Sequence, residues 1–363
     1  MAASEVIKEW AAEGEVAVPL AGAEMLRGLR RGRPVSAGER LARHPDPAAG
    51  DIHASVNGWI SEINEWEIVI ARDEAAVGRP PEPVSLAALE RPELGPALKE
   101  LGLARPAVQP GETIIISTLD PEPGLTLARP LFGEHRETML AGVEGIARLY
   151  PGRDLLWAVN RAEEAPPGTE FHLIKGDYPR TLPSLLKKKI TGRLDRAGSG
   201  VLTGRAIFFL GRAWRTGLPV IRTPLTLGSA NYLAPVGARI MDLLTFANLA
   251  PGPGDLVVAG GLVRGVTLAR LERGVSPAVA ALHLVRSGRA AADDICRQCG
   301  ECARVCPAGL PIDRLARRDP SAWLSQPGWE ALTGCLVCGA CALACPARRP
   351  LLSLIRLVEG LKL

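Results

Sequence analysis

Two cysteine runs constrain this chain more than any other feature. The first is Cys296-Arg-Gln-Cys299-Gly-Glu-Cys302-Ala-Arg-Val-Cys306-Pro307, and the second is Cys335-Leu-Val-Cys338-Gly-Ala-Cys341-Ala-Leu-Ala-Cys345-Pro346. Together they hold all eight cysteines of the 363 residues. Both follow the spacing C-x2-C-x2-C-x3-C-P, which binds [4Fe–4S] clusters when it occurs in pairs. Three thiolates, each three positions after the last, wrap one loop around three irons of a cubane. The fourth cysteine stands on the chain leaving the loop, too far along to close the same cluster, and in paired motifs it ligates the other one. The expected ligand sets are therefore Cys296, Cys299, Cys302 and Cys345 for one cluster, and Cys335, Cys338, Cys341 and Cys306 for the other. Gly300 and Gly339 lie inside the loops, where a side chain would crowd the sulfides and where the backbone needs positive φ. Pro307 and Pro346 turn the chain away without stranding a buried N–H.

Other uses of eight cysteines fit less well. A disulfide framework needs an oxidising compartment, and Met1 to Glu15 is acidic without the apolar stretch of a secretory signal. Zinc sites commonly use two separated ligand pairs, and no His lies near either run. No apolar run approaches the roughly 18 residues needed to span a bilayer. A cytoplasmic setting, where thiolates stay reduced, is the expectation. The apolar content of 47% is ample for packed cores, so the length predicts several folded domains rather than a disordered chain. Charge is unevenly placed: residues 286–363 carry 11 Lys or Arg against 7 Asp or Glu, which is the whole net charge of +4. Arginines that offset anionic clusters account for this surplus. Nucleic-acid binding is not expected, because the basic residues form no stripe interleaved with aromatics.

The remaining residues divide into three further parts. Residues 1–80 read as short strands: Val16–Leu20, Arg33–Leu41, Gly50–Ile63 and Glu67–Ile70. Asn57-Gly58 between Ser55-Val56 and Trp59-Ile60 carries a type I′ hairpin signal. The lone His53 reads as structural. Residues 81–110, rich in Pro, Glu, Leu and Ala, read as a linker with one short helix near Leu86 to Leu101. In 111–216, the β-branched Thr113–Ser117 predicts a buried strand, followed by a helix over Glu134–Leu149 and strands at Asp154–Asn160 and Phe171–Ile174. That alternation predicts a parallel α/β unit. Lys187-Lys188-Lys189 reads as a solvated helix end. Residues 217–285 contain expected strands at Leu218–Thr223 and Gly254–Ala259, with a helix over Arg239–Ala247 between them. Gly260-Gly-Leu-Val-Arg-Gly265 reads as a tight turn rather than a phosphate cradle, for lack of a strand–helix context.

In this order the parts resemble the RnfC family, the C subunits of the Rnf ion-translocating electron-transport complex. The resemblance rests on Asp51–Gly58, Thr113–Ser117 with Glu122-Pro123, Val236–Leu244, Gly260–Gly265 and the two cysteine runs. It implies a multidomain α+β and α/β fold. The implied parts are a barrel-sandwich (lipoyl-like) module over 1–80 and, after the linker, a Rossmann-like domain similar to the complex I flavoprotein over 111–216. A β-grasp domain for soluble ligands (SLBB) over 217–285 and a two-cluster ferredoxin-type domain over 286–363 follow. Carrier versions of the barrel-sandwich module present a lysine at a hairpin tip, and Val56-Asn57-Gly58 has none, so covalent cofactor carriage is not expected. The resemblance further implies a peripheral subunit at the cytoplasmic side of the inner membrane. It would pass electrons between a soluble carrier, a ferredoxin-type protein or a cytochrome, and the membrane-embedded and iron–sulfur subunits of the complex. No catalytic residue is assigned within this chain. Two alternatives share its features: a cobalamin-reductase-like redox protein of the same architecture, and a scaffold whose clusters only hold the fold.

Two departures matter. Typical members place a glycine-rich loop before the first α/β strand, where backbone N–H groups hold the FMN phosphate. Here the matching stretch, Leu101–Gly111, keeps only Gly102 and Gly111, and Pro106 and Pro110 remove donors. FMN is therefore not expected, nor is reduction by NADH alone. At the other end, Leu351, Leu354, Ile355, Val358 and Leu361 form one helical stripe, which either packs on the protein's own core or docks on a membrane subunit. The first cysteine loop carries Arg297, Glu301 and Arg304 while the second is apolar, which predicts a more exposed first cluster.

Overall fold

The structure is a computed structural model, and it describes residues 6–175, 177–287, 295–316, 332 and 334–360. It is a mixed α/β architecture with four sheets among the described residues.

The N-terminal part supplies β1 (Ile7–Glu9), β2 (Glu15–Pro19), β3 (Glu24–Met25), β4 (Pro34–Val35), β5 (Arg40–Arg43), β6 (Ile52–His53), β7 (Gly58–Ile63) and β8 (Glu67–Arg72). An antiparallel sheet runs β2-β8-β7-β4, and a smaller one runs β3-β5-β6. Val16, Val18, Leu41, Ala54, Ile60, Ile68 and Ile70 close a common core between them. The hairpin expected at Asn57-Gly58 is not formed. β6 pairs with β5 while β7 pairs with β8 and β4, so this dipeptide crosses from one sheet to the other. Its glycine serves close packing instead of a turn: a Cβ on Gly58 would lie 2.2 Å from the Ala71 carbonyl oxygen. The Asn57 carboxamide accepts the Ala37 N–H at 2.8 Å. His53 is buried beneath Gly102, with its ring 3.2 Å from where a Cβ there would stand, a packing role.

The middle part begins with α1 (Arg91–Glu100), then β9 (Ile114–Ser117), α2 (Ala128–Glu134), α3 (Arg136–Leu149), β10 (Leu155–Val159), β11 (Phe171–Leu173), α4 (Pro183–Thr191), β12 (Val201–Thr203) and α5 (Gly204–Thr216). The strands form one wholly parallel sheet in the order β11-β10-β9-β12, and β9 is buried along its whole length, as its Ile114-Ile-Ile-Ser117 run requires. Residues 81–110 are not a linker. Leu86, Leu94, Leu98, Leu101 and Leu103 are buried in the same core as Ile114, Ile116, Ile146 and Phe208. Lys187 is likewise not solvated. Its ammonium contacts Glu112, lies 2.9 Å from Asp195 and 3.1 Å from the Ser199 hydroxyl, and is buried; only Lys188 and Lys189 reach solvent.

The third part holds β13 (Arg222–Leu227), β14 (Ala230–Pro235), α6 (Ile240–Phe246), β15 (Leu256–Ala259), β16 (Val266–Thr267) and β17 (Ala281–Val285). Its sheet runs β1-β14-β13-β17-β15-β16. The first strand of the chain therefore belongs here, parallel to β14, and not with the module that follows it. Residues 218–221 are not strand: they run along the end of α1, with the Val220 N–H on the Leu101 carbonyl. Leu225, Leu243, Leu244 and Leu282 share one continuous core with the N-terminal sheets, so these two parts pack as a single unit.

The C-terminal part carries four short helices among its described residues: α7 (Glu301–Arg304), α8 (Ile312–Ala316), α9 (Ala340–Leu343) and α10 (Leu351–Gly360). Leu351 and Ile355 of the apolar stripe are buried, and Leu354 packs beside them, on this part's own core. Leu361, and the side chain of Val358, lie outside the described residues. No described helix is long and apolar enough to cross a membrane.

Candidate metal centres

The two cysteine runs fold alike. In each, the residue two positions after the first cysteine adopts a left-handed backbone although it is not glycine: Gln298 at φ 56° and Val337 at φ 51°. Each then turns at a left-handed glycine, Gly300 or Gly339, into the short helices α7 and α9, which carry Cys302 and Cys341. Both loops bend again three residues after the fourth cysteine, at Gly309 and Arg348. Those N–H groups donate to the Cys306 and Cys345 carbonyls at 3.0 Å each. Left-handed backbone at non-glycine residues costs roughly 1 kcal/mol or more and persists only where the surroundings enforce it. Its repetition at matching positions marks both loops as built for one purpose.

That purpose shows in the cysteines. Cys306, Cys335, Cys338 and Cys341 line one cavity, with Pro307, Ile312, Leu352 and Ile355 among its walls. Cys296, Cys299, Cys302 and Cys345 line another, together with Arg297, Asp313, Arg349 and Leu351. The structure thus brings three cysteines of each run together with the fourth of the other. Backbone N–H groups point at three of the sulfurs: Gln298 to Cys296, Val337 to Cys335 and Leu310 to Cys306, each at 3.4 Å. The surroundings of the two groups differ. Cys335, Cys338 and Cys341 are buried, whereas Cys299 is exposed and Cys296 and Cys345 are half-buried. Burial pushes the Cys341 thiol up to about 12, with the neighbouring Cys338 and Cys335 adding to it, and it raises Cys338 and Cys302 as well.

The buried group is held by residues whose part in the site sequence reasoning missed. The Tyr178 hydroxyl bonds the Cys338 carbonyl, and burial raises that phenol further from ionisation. Gly339 lies against Val263, where a Cβ would meet the Val263 side chain at 2.7 Å. The Arg356 guanidinium donates to the Arg264 carbonyl at 2.8 Å. The glycine-rich turn at 260–265 is therefore a seat for the second loop. It is in turn fixed by Glu122, whose carboxylate accepts the Arg264 N–H at 2.8 Å, while the Leu262 N–H bonds the Pro123 carbonyl. No sequence signal links Tyr178 to a cysteine 160 positions away.

A further cavity lies past the carboxyl ends of β9 and β10, lined by Thr118, Asp120, Glu122, Arg129, Asn160 and Glu164 among others. Burial pushes the Asp120 carboxyl up to about 6, against the Leu127 and Ala128 N–H groups that it accepts at 3.1 and 3.0 Å.

Comparison with known proteins agrees with the cysteine geometry. A family model described as a 4Fe-4S dicluster domain matches residues 295–349. The C subunit of the ion-translocating oxidoreductase complex of Serratia proteamaculans is 28% identical over 227 residues, covering 55% of this chain and 32% of that protein. The protein of the same name from Erwinia tasmaniensis is 29% identical over 226 residues, covering 54% and 28%. Over that stretch the chain is similar to these C subunits. It spans about a third of the length of the curated relatives it matches. A chain of an NAD+-reducing [NiFe]-hydrogenase also aligns, over 69% of this chain and 48% of its own. Its TM-score of 0.40 and 15% identity are too low to carry an argument.

Proposed function

We propose that this chain is an iron–sulfur electron-transfer subunit of a membrane-bound, ion-translocating oxidoreductase of the Rnf type. The observation that carries the reading is the pairing of the cysteines into two cavities, each of three thiols from one run and one from the other. Each cavity gathers four thiols, in a largely apolar wall for the Cys335 set and beside Arg297, Asp313 and Arg349 for the Cys296 set. With N–H groups aimed at the sulfurs, both fit the donor chemistry of a [4Fe–4S] cluster. Cys335, Cys338, Cys341 and Cys306 would hold one cluster, and Cys296, Cys299, Cys302 and Cys345 the other. Bound there, such clusters supply one-electron redox chemistry. The chain's own residues exclude water from the Cys335 set through Leu336, Ile312, Leu352 and Ile355, and fix its loop through Tyr178 and the 260–265 turn.

The name the relatives share supports partners among the other components of such a complex. The expected peripheral place at the cytoplasmic side of the inner membrane stays a proposal, in keeping with described helices none of which is long and apolar enough to cross a membrane. A ferredoxin-type protein or a cytochrome would be the soluble partner. The finer parts keep their expected identities as proposals. The two antiparallel N-terminal sheets support a barrel-sandwich module, the parallel sheet β11-β10-β9-β12 a Rossmann-like domain, and β13–β17 with α6 an SLBB-type β-grasp.

The residues present do not fit FMN. The cavity past the parallel strands, where an open α/β sheet binds its ligand, offers three carboxylates, Asp120, Glu122 and Glu164, to a single Arg129. A flavin phosphate would be repelled there. The 101–111 stretch has little backbone to give, because the Gly102, Leu103 and Gln109 N–H groups already donate to Lys99, Leu98 and Glu112. Anaerobically reconstituted protein should carry about eight irons per chain, from two four-iron clusters, and no flavin. Dithionite should reduce it and NADH should not. A chain with no bound iron, or one isolated with stoichiometric flavin and bleached by NADH, would refute this reading.

A further inference from the structure

On the side of α4 that carries Lys188 and Lys189, a second cleft opens between the parallel-sheet part and the cysteine-rich part. Four cations line it: Lys175, Arg180, Lys188 and Lys189, all exposed. Among the described residues Lys175, Lys188 and Lys189 form no ion pair, and Arg180 meets only the exposed Asp177, at 3.5 Å, a contact that holds little charge back. One wall is the sheet-edge strand β11, whose Leu173 is 61% exposed, with Phe171 two positions earlier on the same face at 40%. The opposite wall is Val305 and Pro307, the residues on either side of Cys306.

Each feature alone is ordinary, but their combination is specific. Apolar residues flanked by uncompensated cations have the anatomy of a protein–protein interface, an apolar centre inside a charged rim. The single charge sign selects an acidic partner and speeds its approach. The position selects a redox partner, because the cleft wall includes the backbone on both sides of a cysteine of the buried group. A bilayer fits less well, since a flat surface cannot enter a cleft. We propose that this cleft is the docking surface for a small acidic redox protein, which binds beside Cys306. This rests on the electron-transfer reading above and adds to it the place and chemistry of the soluble partner.

The test uses the cluster-loaded full chain and, as probe, an acidic two-cluster ferredoxin, with affinity measured by calorimetry. Titrations are run at about 30 and about 300 mM salt, between which the Debye length falls roughly threefold. Wild-type protein should bind, and bind more weakly at the higher salt. The double variant Lys188→Glu, Lys189→Glu should lose about tenfold or more in affinity at low salt, with a flatter salt dependence. Its iron content and Tm should match the wild type, since both side chains are exposed. A control outside the cleft, Arg27→Glu with Arg31→Glu, should bind like the wild type. The proposal falls if the wild type does not bind, if the cleft variant binds as well as the wild type, or if the control loses as much. It also falls if the cleft variant instead loses binding to anionic phospholipid vesicles that the wild type binds, which would assign the cleft to a membrane. A preparation that takes up no iron would instead sink the electron-transfer reading itself, so the two failures are distinct.

Discussion

Lys187 shows what a single side chain does in this fold. Its ammonium is shared by Glu112, Asp195 and Ser199, tying the segment before β9 to the loop before β12. The Lys187 amine and the Ser199 hydroxyl and N–H hold the Asp195 carboxyl well below its usual range. Lys187→Met should cost about 3 kcal/mol or more in chemical denaturation, because it strands two carboxylates in a largely buried site. A loss near zero would show that water compensates them. The sequence hid this role: in a run of three lysines, nothing local distinguishes the one whose partners lie 75 and 8 positions away. Asp120 gives a test of opposite sign. Burial raises its folded value to about 6, so the neutral carboxyl is the form the fold prefers. That preference contributes fully below the unfolded value of about 4 and is lost as pH rises through about 6. Asp120→Asn keeps an oxygen for the Leu127 and Ala128 N–H groups. The variant should therefore gain stability relative to wild type between about pH 5 and about pH 7.5. Parallel urea midpoints at the two pH values would contradict the burial argument.

Among the elements, α3 and α5 pack backbone against backbone beside the parallel sheet, and glycines allow it. A Cβ on Gly142 would lie 2.2 Å from the Ile207 carbonyl oxygen, and one on Gly211 would lie 1.8 Å from that of Thr138. Gly211→Ala improves intrinsic helix propensity by up to about 1 kcal/mol. It should nevertheless destabilise the protein by roughly 1–3 kcal/mol, because two backbones must separate. Thermal unfolding measures the sign directly, and a rise in Tm would show that the helices can part freely. The elements legible in the sequence were those with a long period or a β-branched run, β9, α3 and β10 among them. Two-residue strands such as β3, β4, β6 and β16 carry no period to read. Asn57-Gly58 misled because the glycine that a turn would require is here the glycine that a neighbouring strand requires.

Across the whole molecule, the packing of distant segments was not legible in the sequence. The chain's first strand joins a sheet built from residues more than 200 positions later, and the expected linker fills a core. Such pairings depend on complementary surfaces rather than on local composition. The cysteine-rich part is seated on the two preceding parts through Tyr178 and the 260–265 turn, and the buried cysteine group adjoins both cavities: Tyr178 lines the acidic one, and Val305 and Pro307, flanking Cys306, line the basic cleft. Each cysteine cavity is completed by a cysteine of the other run. The most direct measurement is the iron bound by the triple variant Cys335→Ala, Cys338→Ala, Cys341→Ala, alone and with a fourth cysteine removed. The triple variant should keep about four irons, one cluster's worth. Adding Cys306→Ala should leave that iron in place, and adding Cys345→Ala should abolish it. Iron lost with Cys306 and kept without Cys345 would mean that each run closes its own cluster, and would overturn the crossed pairing.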